Sequence, residues 1–215
     1  VDNIRLVSFA WTNTYHFVVL ADSDIYTVYD FVGKKVGIGP QGSGAAIFAE
    51  TFLSAVGIWD EITPVYTPPA DQATAIKDGN IDVFGYFSGL PMSSIIDISS
   101  TEDIRIIDLK QAGIDSGFEE EYPFYSSTVI PAGTYTGQDE DVNTYANYTY
   151  IVAADTVTAD VIYEFMDTLF SDEGLEYMLD VHNSARELSV DSISMASDKI
   201  GVPMHEGTQQ YLNKE

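Results

Sequence analysis

The sequence predicts an α/β protein, and three observations carry that expectation. Val36–Ala45 reads as a short strand, a glycine-rich turn and the first residues of a helix, the way α/β proteins offer backbone N–H groups to an anion. From Lys34 to Leu109 the pattern runs β-α-β-α-β-α-β, which predicts a compact lobe on a mainly parallel sheet. The chain has 215 residues with 45% hydrophobic content, enough for one large domain or two small lobes, each with its own core.

In chain order, Ile4–Phe9 and His16–Leu20 are rich in β-branched and aromatic residues and read as two strands separated by the polar bend Trp11–Thr14. Val28–Val32 reads as a single helical turn leading into a strand at Lys35–Ile38. Gly39, Gly42 and Gly44 permit a tight bend with positive φ, and Ser43 is a natural N-cap. Ala45, Phe48, Ala49, Phe52, Leu53 and Val56 recur at the spacing of one helix face. Gly57 ends that helix. A strand at Thr63–Thr67, a helix at Asp71–Asp78 with Ala73, Ala75 and Ile76 inward, and a strand at Ile81–Phe87 follow. Pro91 restarts a helix at or near its first position, with Ile95, Ile96 and Ile98 as its buried side. Ile104–Leu109 is one more strand, and Glu119–Glu121 reads as a solvated face. Phe124–Ile130 is extended, residues 131–137 form a loop, and Tyr145–Ala153 is a strand. Thr158 caps an amphipathic helix with Val161, Ile162, Phe165, Met166, Leu169 and Phe170 on one side. A second helix covers Glu173–Val181, and a short one with Tyr211 and Leu212 closes the chain.

Charge excludes several functions. With 9 basic against 34 acidic residues the net charge is −25, and a field of that sign repels nucleic acid and anionic headgroups. The six lysines, Lys34, Lys35, Lys77, Lys110, Lys199 and Lys214, are few beside so many carboxylates, a balance that suits work in high salt, where screening relieves self-repulsion. There is no cysteine, so disulfides and thiolate metal sites are excluded. No apolar run approaches the roughly 18 residues of a membrane span, and Val1-Asp2-Asn3 does not begin a signal peptide. His16, His182 and His205 show no metal-ligand spacing and have no nucleophile partner, so the residues identify no catalytic group, metal or cofactor. His205 reads as a packed or capping imidazole.

What remains is a pair of turns at the carboxyl ends of strands, each opening a helix, where open α/β sheets collect ligands. These give the candidate ligand-binding residues Gln41, Gly42, Ser43, Gly44 and Ala45 in the first turn and Tyr86, Phe87, Ser88, Gly89 and Leu90 in the second. Trp11 is a further aromatic surface. The first turn also fits G-x-G-x-x-G through Gly37, Gly39 and Gly42, so a nucleotide-dependent enzyme is the alternative. The acidic residues that would hold a ribose, Asp60 and Glu61, precede the following strand instead of ending it.

Five strings taken together, Phe31–Gly44, Ala75–Asp82, Gly89–Pro91, Ile130–Val142 and Val202–Gly207 with Tyr211, resemble the TAXI-type solute receptors of TRAP transporters. The match runs in order across nearly the whole chain, and the loop at 130–142 is specific. The resemblance implies a type II periplasmic-binding-protein fold, two α/β lobes joined by crossing strands and closing on a small solute. It also implies a non-enzymatic, extracytoplasmic receptor that captures a small organic anion or amino acid, such as a glutamate-like carboxylate, and delivers it to TRAP membrane permease subunits. Residues 30–125 would be lobe two; 1–29 and 126–215 would be the remainder of lobe one, whose first strands and glycine-rich loop lie, in that family, in about a hundred residues before the equivalent of Val1. An incomplete lobe one is expected to leave Ile162, Phe165 and Leu169 partly uncovered, and to self-associate or pair with an N-terminal segment.

Overall fold

The computed structural model describes residues 2–193 and 201–214. Val1, residues 194–200, which include Lys199, and Glu215 fall in the expected lobe one and lie outside the described residues. The protein is a mixed α/β chain in two compact units, one formed by Asn13–Asn147 and the other by Val1–Thr12 with Tyr148–Glu215.

In the first of these units, β1 (Ile4–Leu20) contributes the stretch Thr14–Val19, which is buried at every position. A strand covered on both faces loses the polar alternation of a half-exposed one. β1 is one unbroken strand, not two, because Trp11–Thr14 supplies aromatic and β-branched residues that continue the extended backbone. It takes β4 (Phe84–Ser88) antiparallel, with Tyr15 opposite Phe87 and His16 opposite Tyr86. It also takes β5 (Ile104–Ile106) antiparallel. β7 (Val142–Ala154) and β6 (Ser126–Ile130) complete the order β4-β1-β7-β6.

The mainly parallel sheet expected from Lys34 to Leu109 is therefore corrected. Among the described residues of that stretch, parallel pairing is confined to β2 (Lys35–Gly37) with β3 (Thr63–Val65) and a bridge from Val36 to Val83, because the long β1 claims β4 and β5 from the other direction.

α1 (Gly44–Val56) follows its sequence signature closely. Gly57 stops it at φ 87° with its N–H on the carbonyls of Leu53 and Ser54. Phe48, Phe52 and Leu53 are fully buried, each worth roughly 1.5–3 kcal/mol relative to exposure, and they pack with Tyr15, Phe87, Phe118 and Tyr145 in one aromatic-rich core. α2 (Pro69–Lys77) turns Gln72, Ala73 and Ile76 inward. α3 (Ser93–Ser99) has Met92 as its N-cap, so Pro91 lies near its first position, just before the cap; Ile95 and Ile98 are buried while Ile96 is 47% exposed. α4 (Lys110–Asp115) and α5 (Phe118–Glu121) follow, with Glu119–Glu121 exposed as expected.

In the other unit, α6 (Ala159–Leu169) packs Ile162 and Met166 with Val7 and with Tyr211 of the terminal helix Glu206–Leu212. A Cβ on Gly207 would meet the Ala159 carbonyl, which is how the two helices approach so closely. Ile162 and Leu169 are 7% and 8% exposed, so they are covered, contrary to expectation, whereas Phe165 at 40% and Val161 at 55% face outward. The apolar stripe is narrower than the sequence suggests. α7 (Asp172–Val181) carries no buried residue. His205 caps the terminal helix: Nδ1 accepts from the Gly207 N–H at 3.1 Å and Nε2 meets the Val157 carbonyl at 3.1 Å, as the sequence anticipates.

Candidate functional site

The first candidate turn is built by two left-handed glycines and a cap. Gly39 and Gly42 have φ of 93° and 76°, a conformation that costs other residues roughly 1–2 kcal/mol. The Ser43 N–H donates to the Pro40 carbonyl at 3.0 Å, and Ser43 Oγ accepts the Ala46 N–H at 3.2 Å. The amides of Gly44 and Ala45 belong to the first helical turn and have no intrahelical acceptor. Gln41, Gly42 and Gly44 are exposed and Ala45 is buried. Chemically, this is a positive helix end with two backbone donors that the helix itself leaves without acceptors.

The second turn comes to the first through Tyr86. A Cβ placed on Gly39 would stand 3.0 Å from a Tyr86 ring carbon and 3.0 Å from Ser43 Oγ. Only a glycine lets the ring lie on the turn. Tyr86 is half-buried, as are Ser88 and Leu90, while Gly89 is buried. Phe87 is 8% exposed, with Tyr15 at 4.7 Å and Phe48 at 5.0 Å between ring centroids, so its ring is part of the core. The sequence-predicted residues 41–45 and Tyr86 are thus brought together in one unit. Trp11 belongs to the other unit, where its indole stacks on His182 at 4.8 Å and 10° and the neighbouring Thr12 N–H donates to Glu187 at 2.9 Å.

Several supporting residues escape sequence reading. Gln72, fully buried on α2, accepts the Gly85 N–H at 3.0 Å and donates to the Thr67 carbonyl at 3.0 Å, fixing β4 just before Tyr86. Its only signal is a polar residue at an inward position of a helix. A Cβ on Gly37 would run into Gln72, so the first glycine of the G-x-G-x-x-G match serves packing and not approach to a phosphate. Asn147 lies beside α1: a Cβ on Gly44 would be 4.0 Å from its Nδ2, and its buried Oδ1 has no hydrogen-bond partner among the described residues.

Four of the cations are engaged elsewhere. Lys34, Lys77 and Lys214 each pair with an aspartate at 2.7–2.8 Å, and the Arg105 guanidinium donates to the carbonyls of Ala21 and Ile25. The donors that the turn itself supplies to an anion are backbone amides. Among the described residues no group of three or more His, Cys, Asp or Glu is placed to hold a metal ion, and no helix is long and apolar enough to cross a membrane.

A glycine turn opening a capped helix, set in a mixed α/β unit, defines a class of chain that presents main-chain donors at a strand's carboxyl end. Within that class the chain belongs to the NMT1-like family, whose model matches residues 1–215. Among solved structures it is similar to the periplasmic aliphatic sulphonate binding protein SsuA of Escherichia coli, at 18% identity over 99% of this chain and 59% of that one, TM-score 0.44. A structure from work on glutathione import via GshT and the cystine ABC importer TcyBC of Streptococcus mutans matches at 16% identity, over 86% of this chain and 64% of that one, TM-score 0.49. A periplasmic sulfonate-binding protein of Methylobacillus flagellatus matches at 16% identity, over 98% of this chain and 66% of that one, TM-score 0.48. The chain spans 59–66% of the length of these three, which are named as binding or import proteins and not as enzymes.

Proposed function

We propose that this chain belongs to an extracytoplasmic receptor that binds a small organic anion or amino acid, such as a glutamate-like carboxylate, and passes it to a membrane permease. TRAP-type permease subunits are the proposed partner, in keeping with the TAXI-like strings, and the lobes 30–125 and 1–29 with 126–215 belong to the same proposal. The observation that carries the reading is the Gly39–Ala45 turn: first-turn amides without an intrahelical acceptor at the positive end of a 13-residue helix, closed on one side by Tyr86. A carboxylate there gains about 0.3–1 kcal/mol from the helix, up to about 2 when partly buried. Micromolar binding needs about 8. The amides of Gly44 and Ala45, the Tyr86 ring and the Ser88–Leu90 segment supply contacts of the kind that makes up the rest.

Thermal-shift titration with carboxylates, amino acids, aliphatic sulfonates and nucleotides tests the proposal, since a ligand at a hundred times its Kd adds about 2.7 kcal/mol. Stabilisation by one of the anions or amino acids is the expected result. Stabilisation by NAD or a nucleotide alone would favour the enzyme alternative and overturn the receptor reading.

A further inference from the structure

The loop after β6 is one of the specific strings in the sequence, and none of its residues is among the candidate ligand-binding residues. Its own hydrogen bonding is nearly closed. The Gly133 N–H donates to the Gln138 carbonyl at 2.7 Å, and the Ala132 N–H to Asp141 Oδ1 at 2.8 Å. Buried Gln138 aims Nε2 at the carbonyls of Ile130, Pro131 and Glu140, at 3.3, 3.0 and 2.7 Å, while its Oε1 faces the Tyr135 N–H at 3.4 Å. Gly133 and Gly137 sit at φ 75° and 78°. A loop braced this way holds one side chain in place, and that side chain is Tyr135, 4% exposed.

The Tyr135 hydroxyl accepts the Met92 N–H at 2.9 Å and lies 2.9 Å from His16 Nε2. The Met92 amide can only donate, which leaves the phenolic proton available to His16 Nε2, and the arrangement in which it is given there places the ring proton on Nδ1. Nδ1 makes no hydrogen bond among the described residues, and burial pushes the imidazole's pKa down to about 4. His16 faces Tyr86 across the β1–β4 ladder. The path Met92 amide, Tyr135 hydroxyl, His16 imidazole therefore starts at one end of the segment 86–92 and ends on the strand residue paired with the other.

We propose that Tyr135 is a positioning residue: its hydroxyl, held by the braced loop, pins the Met92 end of the Tyr86–Met92 segment, ties it to His16, the strand partner of Tyr86, and so sets the geometry of the candidate binding turn. The proposal rests on the reading that Tyr86–Leu90 contacts the solute, but its structural half stands apart from any ligand.

Tyr135→Phe keeps the ring and removes the hydroxyl. In the full chain, hydrogen exchange at the Met92 amide should quicken at least tenfold while amides inside α1 keep wild-type rates, and the ¹⁵N spectrum of His16 should leave the Nδ1–H pattern. Tyr125→Phe, a buried hydroxyl outside the path, should change neither. If L-glutamate stabilises the wild type, its Kd should rise about tenfold in Tyr135→Phe. Unchanged Met92 exchange, or acceleration shared equally by α1, would overturn the proposal. Faster Met92 exchange in a protein that binds neither glutamate nor any other anion would leave the positioning role intact and refute the receptor reading instead.

Discussion

The two glycine-bearing loops of the Asn13–Asn147 unit look alike in sequence and are opposites in chemistry. In 39–45 the amides of Ser43 and Ala46 are taken within the turn, and those of Gly44 and Ala45 are left by helix geometry. In 131–138 the amides of Ala132, Gly133, Thr134, Tyr135 and Gln138 all meet acceptors within the segment 131–141. The first loop leaves the amides that open α1; the second is braced at five of its amides and holds a tyrosine. Glycine content does not separate the two, whereas the fate of the N–H groups does.

The comparison breaks first at its glycines. Gly39→Val sets a branched side chain at φ 93° into a space already filled by Tyr86 and Ser43, and is expected to cost about 2–5 kcal/mol from backbone strain and overpacking together. Gly133→Ala carries the strain alone, because nothing lies within 4 Å of a Cβ there, and should cost about 1–2 kcal/mol. Urea melts of the two variants beside wild type check the difference. Equal losses would mean that the two turns are equally crowded, contrary to their packing.

Acid should sharpen the contrast next, because only the second loop leans on a buried histidine. Burial pushes His16 down from 6.5 to about 4. The unfolded chain then takes up the proton first as the pH falls, so this stability is complete above about pH 6.5 and is lost as the pH drops toward 4. The full effect is about 3 kcal/mol, with about 2 of it between pH 7 and 5. Urea unfolding of wild type and His16→Gln at those two pH values should show the slope in the first and a smaller one in the second. Identical slopes would place the pH dependence elsewhere.

A smaller effect falls on the open turn. Ser43→Ala removes the cap acceptor of Ala46 and should lower stability by about 1 kcal/mol, leaving His16 and Met92 unperturbed in NMR spectra. A change at Met92 would mean that the two loops are not separable.

Much of this molecule is legible in the sequence, and the gaps have physical causes. α1 can be read because its signals are local: Phe48, Phe52 and Leu53 at helical spacing, Ser43 before them and Gly57 after. β1 cannot be read as one strand because Thr12 and Asn13 look like a bend until the strand is seen to run through them. The mainly parallel sheet fails because sequence order says nothing about which partner β4 and β5 choose, and both choose β1. The open turn is visible as a motif, but the fixture beneath it joins Tyr135 to His16 across 119 residues, and no local pattern links a loop tyrosine to a strand histidine. Gln72 is similar: buried and fully used, it looks in sequence like any polar helix residue.

The claim at the centre is that the amides opening α1, and not those of the braced loop, receive the solute. Titrating ¹⁵N-labelled protein with whichever carboxylate, amino acid or sulfonate gives the largest thermal shift tests it most directly. The expected result is a saturable shift of the Gly42, Gly44 and Ala45 amides together with Tyr86, while Ala132–Gln138 stay in place. Perturbation centred on 131–138, or a turn at 41–45 that stays silent while the protein saturates, would contradict the account.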